Sequence, residues 1–102
     1  MILHECLRQW LHRYGEPFQA EEQTHYGLFF QPPGELLRWH FSPEALAELP
    51  RPLWALVITP EVALESDSAL WWRDRLYRVL RVLEFRVGTT PLYRLLLITP
   101  VS

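Results

Sequence analysis

Nine prolines stand against only four glycines in this chain of 102 residues. Proline fixes its own φ, removes a backbone donor and ends helices, so this balance predicts short, stiff connections between many small elements. The expectation is therefore β structure, with few long helices. Apolar residues make up 49% of the chain and aromatic ones 14%, enough for burial to offset the entropy of ordering. The length fits one core, so a single domain over 1–102 is expected.

The first periodic segment is helical. Leu3, Leu7, Trp10, Leu11 and Tyr14 recur at three- and four-residue spacing with polar residues between them, and Gly15 and Pro17 stop the pattern. This predicts an N-terminal helix within 1–15 and a barrel over 17–102. Phe18–Glu22 and Tyr26–Gln31 read as a first hairpin turning at Glu22–His25. Beyond the Pro32-Pro33-Gly34 breaker, the bulky residues of Leu36–Phe41 predict a third strand. Ser42-Pro43-Glu44 is an N-cap, a proline at the first helical position and an early acid, which predicts a short helical turn near 43–49. Trp54–Thr59 is an apolar, β-favouring run bounded by prolines, the signature of a core strand.

Two periodicities compete over 69–87. As a helix, Ala69, Trp72, Leu76, Val79, Leu80 and Leu83 share a face, but Tyr77, Val82 and Phe85 then fall among arginines. As strands, the residue types fit. Alternation is restored if a β-bulge near Leu80-Arg81 turns Tyr77, Val79 and Val82 the same way. Strands are the reading adopted, with Arg73-Asp74-Arg75 as a hairpin tip and Leu92–Ile98 returning antiparallel after Gly88. The fold class expected is mainly β, a small antiparallel barrel or sandwich-like domain with one short N-terminal helix.

A formal charge of -2 and a pI near 6.1 supply no global positive field for nucleic acid or an anionic membrane. No segment approaches the roughly 20 apolar residues of a membrane span, and no leader pattern opens the chain, so neither export nor membrane insertion is expected. The lone Cys6 cannot close an internal disulfide, which suits a reducing compartment. All ten basic residues are arginine, and neither lysine nor asparagine occurs, a bias pointing to a GC-rich coding sequence.

Metal chemistry finds no recognised spacing. His4, Cys6, His12, His25 and His40 form no Cys-x-x-Cys or His-x-x-x-His pair, and surface histidines with one buried thiol account for them. Glu61, Glu65, Asp67 and Asp74 could supply paired carboxylates, but turn and strand-edge chemistry explains acids in these places. No catalytic residue and no cofactor is expected. The one basic and aromatic concentration is Arg73, Arg75, Arg78, Arg81, Arg86 and Arg94 interleaved with Trp71, Trp72, Tyr77 and Tyr93. Such a cluster can stack single-stranded nucleic acid on a small barrel, or it can form a protein interface. Net acidity favours the interface. Trp71, Trp72, Arg73, Arg75 and Arg78 are its candidate residues, with one of the two tryptophans directed inward and the other outward.

Ser66–Val79, followed by Val82 and Tyr93–Leu96, resembles the C-terminal half of tailed-phage head-tail joining proteins. In that family an apolar strand, a small turn, Tyr-x-Val-x-x-Val and a returning strand with Tyr and leucines recur. Tyr77, Val79, Val82, Tyr93 and Leu96 stand at those places, and the Tyr14-Gly15-Glu16-Pro17 break adds to the likeness. Asp74 replaces the glycine often found at the turn. The resemblance implies a small barrel acting as a head-tail connector or head completion protein in the virion, assembled in the host cytoplasm. Its partners would be portal, adaptor and tail proteins of the same phage and copies of itself in a ring. No catalytic residue carries over, and a nucleic-acid-binding small barrel is the alternative.

Overall fold

The computed structural model describes residues 2–101, the first three of them as backbone only. The chain runs α1 (Ile2–Tyr14), β1 (Glu16–Ala20), β2 (Gln23–Phe30), α2 (Gly34–His40), α3 (Pro43–Glu48), β3 (Trp54–Ile58), β4 (Ala69–Trp72), β5 (Arg75–Val87) and β6 (Thr90–Pro100). All strands pair antiparallel and close into a barrel in the order β1-β2-β3-β6-β5-β4. The seam between β1 and β4 is the single pairing of Gln19 with Trp71. A mainly β barrel behind an N-terminal helix is what the sequence predicts.

Period-two alternation builds the interior. Phe18 and Ala20, Leu56 and Ile58, Leu70 and Trp72, Tyr77 and Val79, and Leu96 and Ile98 face inward and form one buried cluster. Burying each such large aliphatic side chain stabilises the fold by about 1.5–3 kcal/mol. The opposite faces of β3 and β6 are covered as well. Ala55, Leu95 and Leu97 lie beneath α2 and α3 in a second cluster with Leu37 and Phe41. Because β6 is buried on both faces, it reads as the unbroken run Leu95–Ile98 and not as an alternation.

The reading of 69–87 as strands holds, including the bulge. The β5–β6 register slips between Val79 and Arg81, and Val82 then packs against the same cluster as Tyr77 and Val79. Beyond Glu84 and Arg94 β5 and β6 outrun their neighbours, so 85–87 and 90–93 make a two-stranded ribbon. On it Phe85 stacks on Tyr93 with centroids 4.7 Å apart.

The predicted third strand at Leu36–Phe41 is instead helix α2. Leu37 and Phe41, four residues apart, are both buried, and the Phe41 N–H donates to the Leu37 carbonyl at 2.9 Å. A strand would have directed Trp39 with them, whereas its indole is 85% exposed. Side-chain bulk signalled a strand; spacing decided for a helix. The second short helix is as predicted, with the Ser42 hydroxyl accepting from the Ala45 N–H at 3.2 Å and Pro43 in the first turn.

Helix α1 buries Leu11, while Trp10 and Tyr14, expected on the same face, lie towards solvent with rings 5.4 Å apart. Cys6 stands one helical turn from Trp10 on that side and is exposed, correcting the buried-thiol reading. Close backbone approach fixes how α1 meets the barrel. A Cβ at Gly15 would lie 2.6 Å from the Gly27 carbonyl oxygen, and one at Gly27 would lie 2.4 Å from Leu56 Cδ1.

The first hairpin turns at Glu21-Glu22, not at Glu22–His25, because Phe18 and Ala20 must share the inner face with Phe29 and a one-residue slip would reverse every side chain. Both turn residues have positive φ, 54° and 65°, as do Arg73 and Asp74 at 54° and 61° in the β4–β5 turn. Two-residue turns of this hand prefer Asn-Gly, and an ordinary side chain held there costs roughly 1–2 kcal/mol. Glu22→Gly is therefore expected to stabilise the fold by about 1 kcal/mol, a rise in Tm of about 4–8 °C readable by calorimetry. The register sets these two turns at opposite ends of the barrel.

Candidate interaction surface

Strand alternation splits the tryptophan pair on β4. Trp72 enters the barrel and is 2% exposed, whereas Trp71 points outward and is 52% exposed. Trp72 stacks on Phe29 with centroids 3.9 Å apart and planes at 4°, and meets Trp54 and Tyr77 at 5.1 and 5.4 Å. It is thus a core residue, and only Trp71 is available to a partner.

A polar clasp holds the strand that presents Trp71. Glu16 Oε1 accepts from the Trp72 indole N–H at 3.0 Å and from Arg73 Nε at 2.9 Å, while Oε2 accepts from Arg73 Nη2 at 2.9 Å. The Arg73 guanidinium also lies over the Trp72 ring at 4.6 Å. Burial pushes the Glu16 carboxyl up, but the hydrogen bonds from Arg73 and Trp72 and the Arg73 charge outweigh it, leaving the group below its ordinary 4.5. A folded-state value below the unfolded one means that the clasp stabilises fully above about pH 4.5 and is lost as pH falls through the folded value. Glu16→Gln is expected to lower Tm at pH 7 and to flatten the acid-side fall of Tm; thermal melts from pH 7 to about 3 read both.

Around Trp71 an open groove is lined by Pro17, Gln19, Thr24, Arg73 and Asp74. An exposed indole on a rigid strand beside a proline ring is the kind of anchor that protein interfaces use. Of the arginines expected at the interface, Arg73 is held by Glu16, whereas Arg75 and Arg78 line a second groove with Arg51. Arg78 reaches Asp67 at 3.4 Å; Arg51 and Arg75 make no ion pair among the described residues.

The wider basic cluster read from sequence is dispersed. Arg81 lies over the Phe41 ring, Arg86 pairs with Glu84 at 2.7 Å on the ribbon, and Arg94 is 7% exposed. Arg94 donates to the Val62 carbonyl and to Glu65 at 3.3 Å, tying the 59–68 connection across one end of the barrel. Its phase with Leu96 and Ile98 was the signal for an inward position. The sequence pattern does not mark Trp39, Trp10 and Tyr14 as exposed aromatics, because Trp10 and Tyr14 share the apolar spacing of α1 and Trp39 lies in a run whose bulk predicts a strand.

The four candidate acidic residues each stand in a setting of their own: Glu65 reaches Arg94 at 3.3 Å and Asp67 reaches Arg78 at 3.4 Å. Glu61 meets Arg8 at 3.2 Å and the Thr59 hydroxyl at 2.7 Å, and Asp74 lies at the other end of the barrel. Of the histidines, His12 rests on Tyr26 at 4.3 Å, His25 on Phe18 at 5.5 Å and His40 on Phe85 at 6.2 Å. The His4 side chain lies outside the described residues. Among the described residues no group of three or more His, Cys, Asp and Glu is placed to hold a metal ion. No helix among them is long and apolar enough to cross a membrane. No protein-family model, curated protein or solved structure matches the chain.

Proposed function

We propose that this chain is a structural component of a phage or prophage virion, a head-tail connector or head completion protein acting in a ring between portal and tail. The observation that carries the reading is the division of the β4 tryptophans. One is built into the core and clasped by Glu16, while its neighbour is left bare on the rigid outer face. A monomer gains nothing from an indole held in water, but a partner that covers it gains an anchor whose truncation costs about 2 kcal/mol or more. The resemblance of 66–96 to head-tail joining proteins supports the same reading, since its motif residues occupy β4, β5 and β6. Trp39, Trp10 and Tyr14 add exposed aromatic area away from the barrel wall, more than one contact face requires.

Imaging of particles from the phage or prophage that encodes the chain tests this. Label directed to the protein is expected at the head-tail junction, and deletion of its gene is expected to leave filled heads without tails. Purified tailed particles that lack the protein would overturn the reading. Salt-sensitive micromolar binding to single-stranded DNA or RNA, with no particle defect on deletion, would replace it with nucleic-acid binding.

A further inference from the structure

An arginine-lined groove and an acidic turn stand at opposite ends of the barrel, although the β4–β5 end also carries Asp74 and Arg78 is already paired with Asp67. At the β4–β5 end, Arg51, Arg75 and Arg78 line a groove walled by Pro50, Pro52 and Pro100, and no acidic residue lines it. Arg51 and Arg75 have no ion-pair partner among the described residues, and both are exposed. At the far end the β1–β2 turn projects Glu21 and Glu22, both exposed and likewise without a described ion pair.

The acidic turn is unusual on physical grounds. Two adjacent like charges repel, and both residues are held at positive φ, where glycine would sit without strain. Strain kept at an exposed tip is a reason to look for a contact that uses it. A two-residue turn is narrow, since its strands lie about 4.8 Å apart, so it can enter a groove with its carboxylates leading. Guanidinium groups on the groove offer paired N–H donors to such carboxylates.

We infer that the Glu21-Glu22 turn of one copy docks in the Arg51, Arg75 and Arg78 groove of the next. The contact is heterologous, joining two different surfaces. It leaves a free groove on one copy and a free turn on the other, so it propagates to a ring if the rotation closes and to a filament if it does not. This inference rests on the connector reading for its biological setting, but its charge geometry is independent of that reading.

Sedimentation velocity of the full chain tests the contact. The wild type is expected to associate with rising concentration in about 0.05 M salt and to dissociate at least about tenfold more readily in about 0.5 M salt. Arg51→Glu/Arg75→Glu and Glu21→Arg/Glu22→Arg are each expected to remain monomeric, because every turn then meets a groove of its own sign. All four positions are exposed, and Arg fits positive φ no worse than Glu, so folding is spared; circular dichroism checks this. Mixing the two variants is expected to restore association, since each turn again finds an opposite groove. A wild type that stays monomeric at low salt overturns the contact, as do folded variants that associate like the wild type or a mixture that stays monomeric. A groove that binds a labelled oligonucleotide while the wild type stays monomeric assigns it to nucleic acid instead. Protein at the head-tail junction with silent charge reversals sinks the contact alone; restored association with no protein in particles sinks the connector reading alone.

Discussion

Trp72→Ala is expected to destabilise the barrel by about 3–5 kcal/mol, the cost of truncating a large buried aromatic whose surroundings relax only partly. The indole lies flat on Phe29, meets Trp54 and Tyr77, and donates to Glu16, so its removal opens the wall of β4 and leaves the Glu16–Arg73 pair without its floor. Domains of this size hold about 5–15 kcal/mol of stability in all. The melting temperature should fall by more than about 12 °C, taking about 4–8 °C per kcal/mol, or the domain should fail to fold at 37 °C. Trp71→Ala, one residue away, is expected to change stability by less than about 0.5 kcal/mol, since its ring faces solvent. Paired melting curves that show equal losses would refute the division of roles between the two indoles.

Gly27→Ala is expected to cost roughly 1–3 kcal/mol by overpacking. The added methyl would meet Leu56 Cδ1 at 2.4 Å and the Val57 carbonyl oxygen at 2.9 Å. Leu56 is fully buried and Val57 belongs to the neighbouring ladder, so neither can retreat without disturbing the β2–β3 pairing. Gly27 also receives the end of α1 through Gly15, so part of the loss should appear as weaker attachment of the helix. Urea melts give the stability change. Faster hydrogen exchange in α1 than in β3 and β6 would locate that part, whereas unchanged exchange in α1 would place the whole loss inside the barrel.

Where local pattern and tertiary demand agree, the structure was legible in the residues. Trp54–Thr59 reads as a strand because prolines bound an apolar, β-favouring run, and Trp54–Ile58 of it is β3, paired on either side with β2 and β6. The opposite directions of Trp71 and Trp72 follow from alternation alone, and the bulge follows from requiring Tyr77, Val79 and Val82 to share a face. Helix α2 was hidden because Leu36–Phe41 is rich in strand-favouring bulk, and only the four-residue spacing of Leu37 and Phe41 gives it away. The arginine cluster dissolved for a different reason. Which guanidinium is free depends on carboxylates remote in sequence, as Glu16 is from Arg73. Linear proximity of charges therefore said little about the surface they form, and the Arg51, Arg75 and Arg78 groove draws on separate segments brought together only by barrel closure.

The measurement that bears most directly on the proposed role combines folding and assembly in one variant, Trp71→Ala introduced into the phage or prophage that carries the gene. The account predicts a purified protein that melts within about 2–4 °C of the wild type, together with filled heads that fail to join tails in electron micrographs. Tailed, infectious particles at wild-type numbers from this folded variant would contradict it.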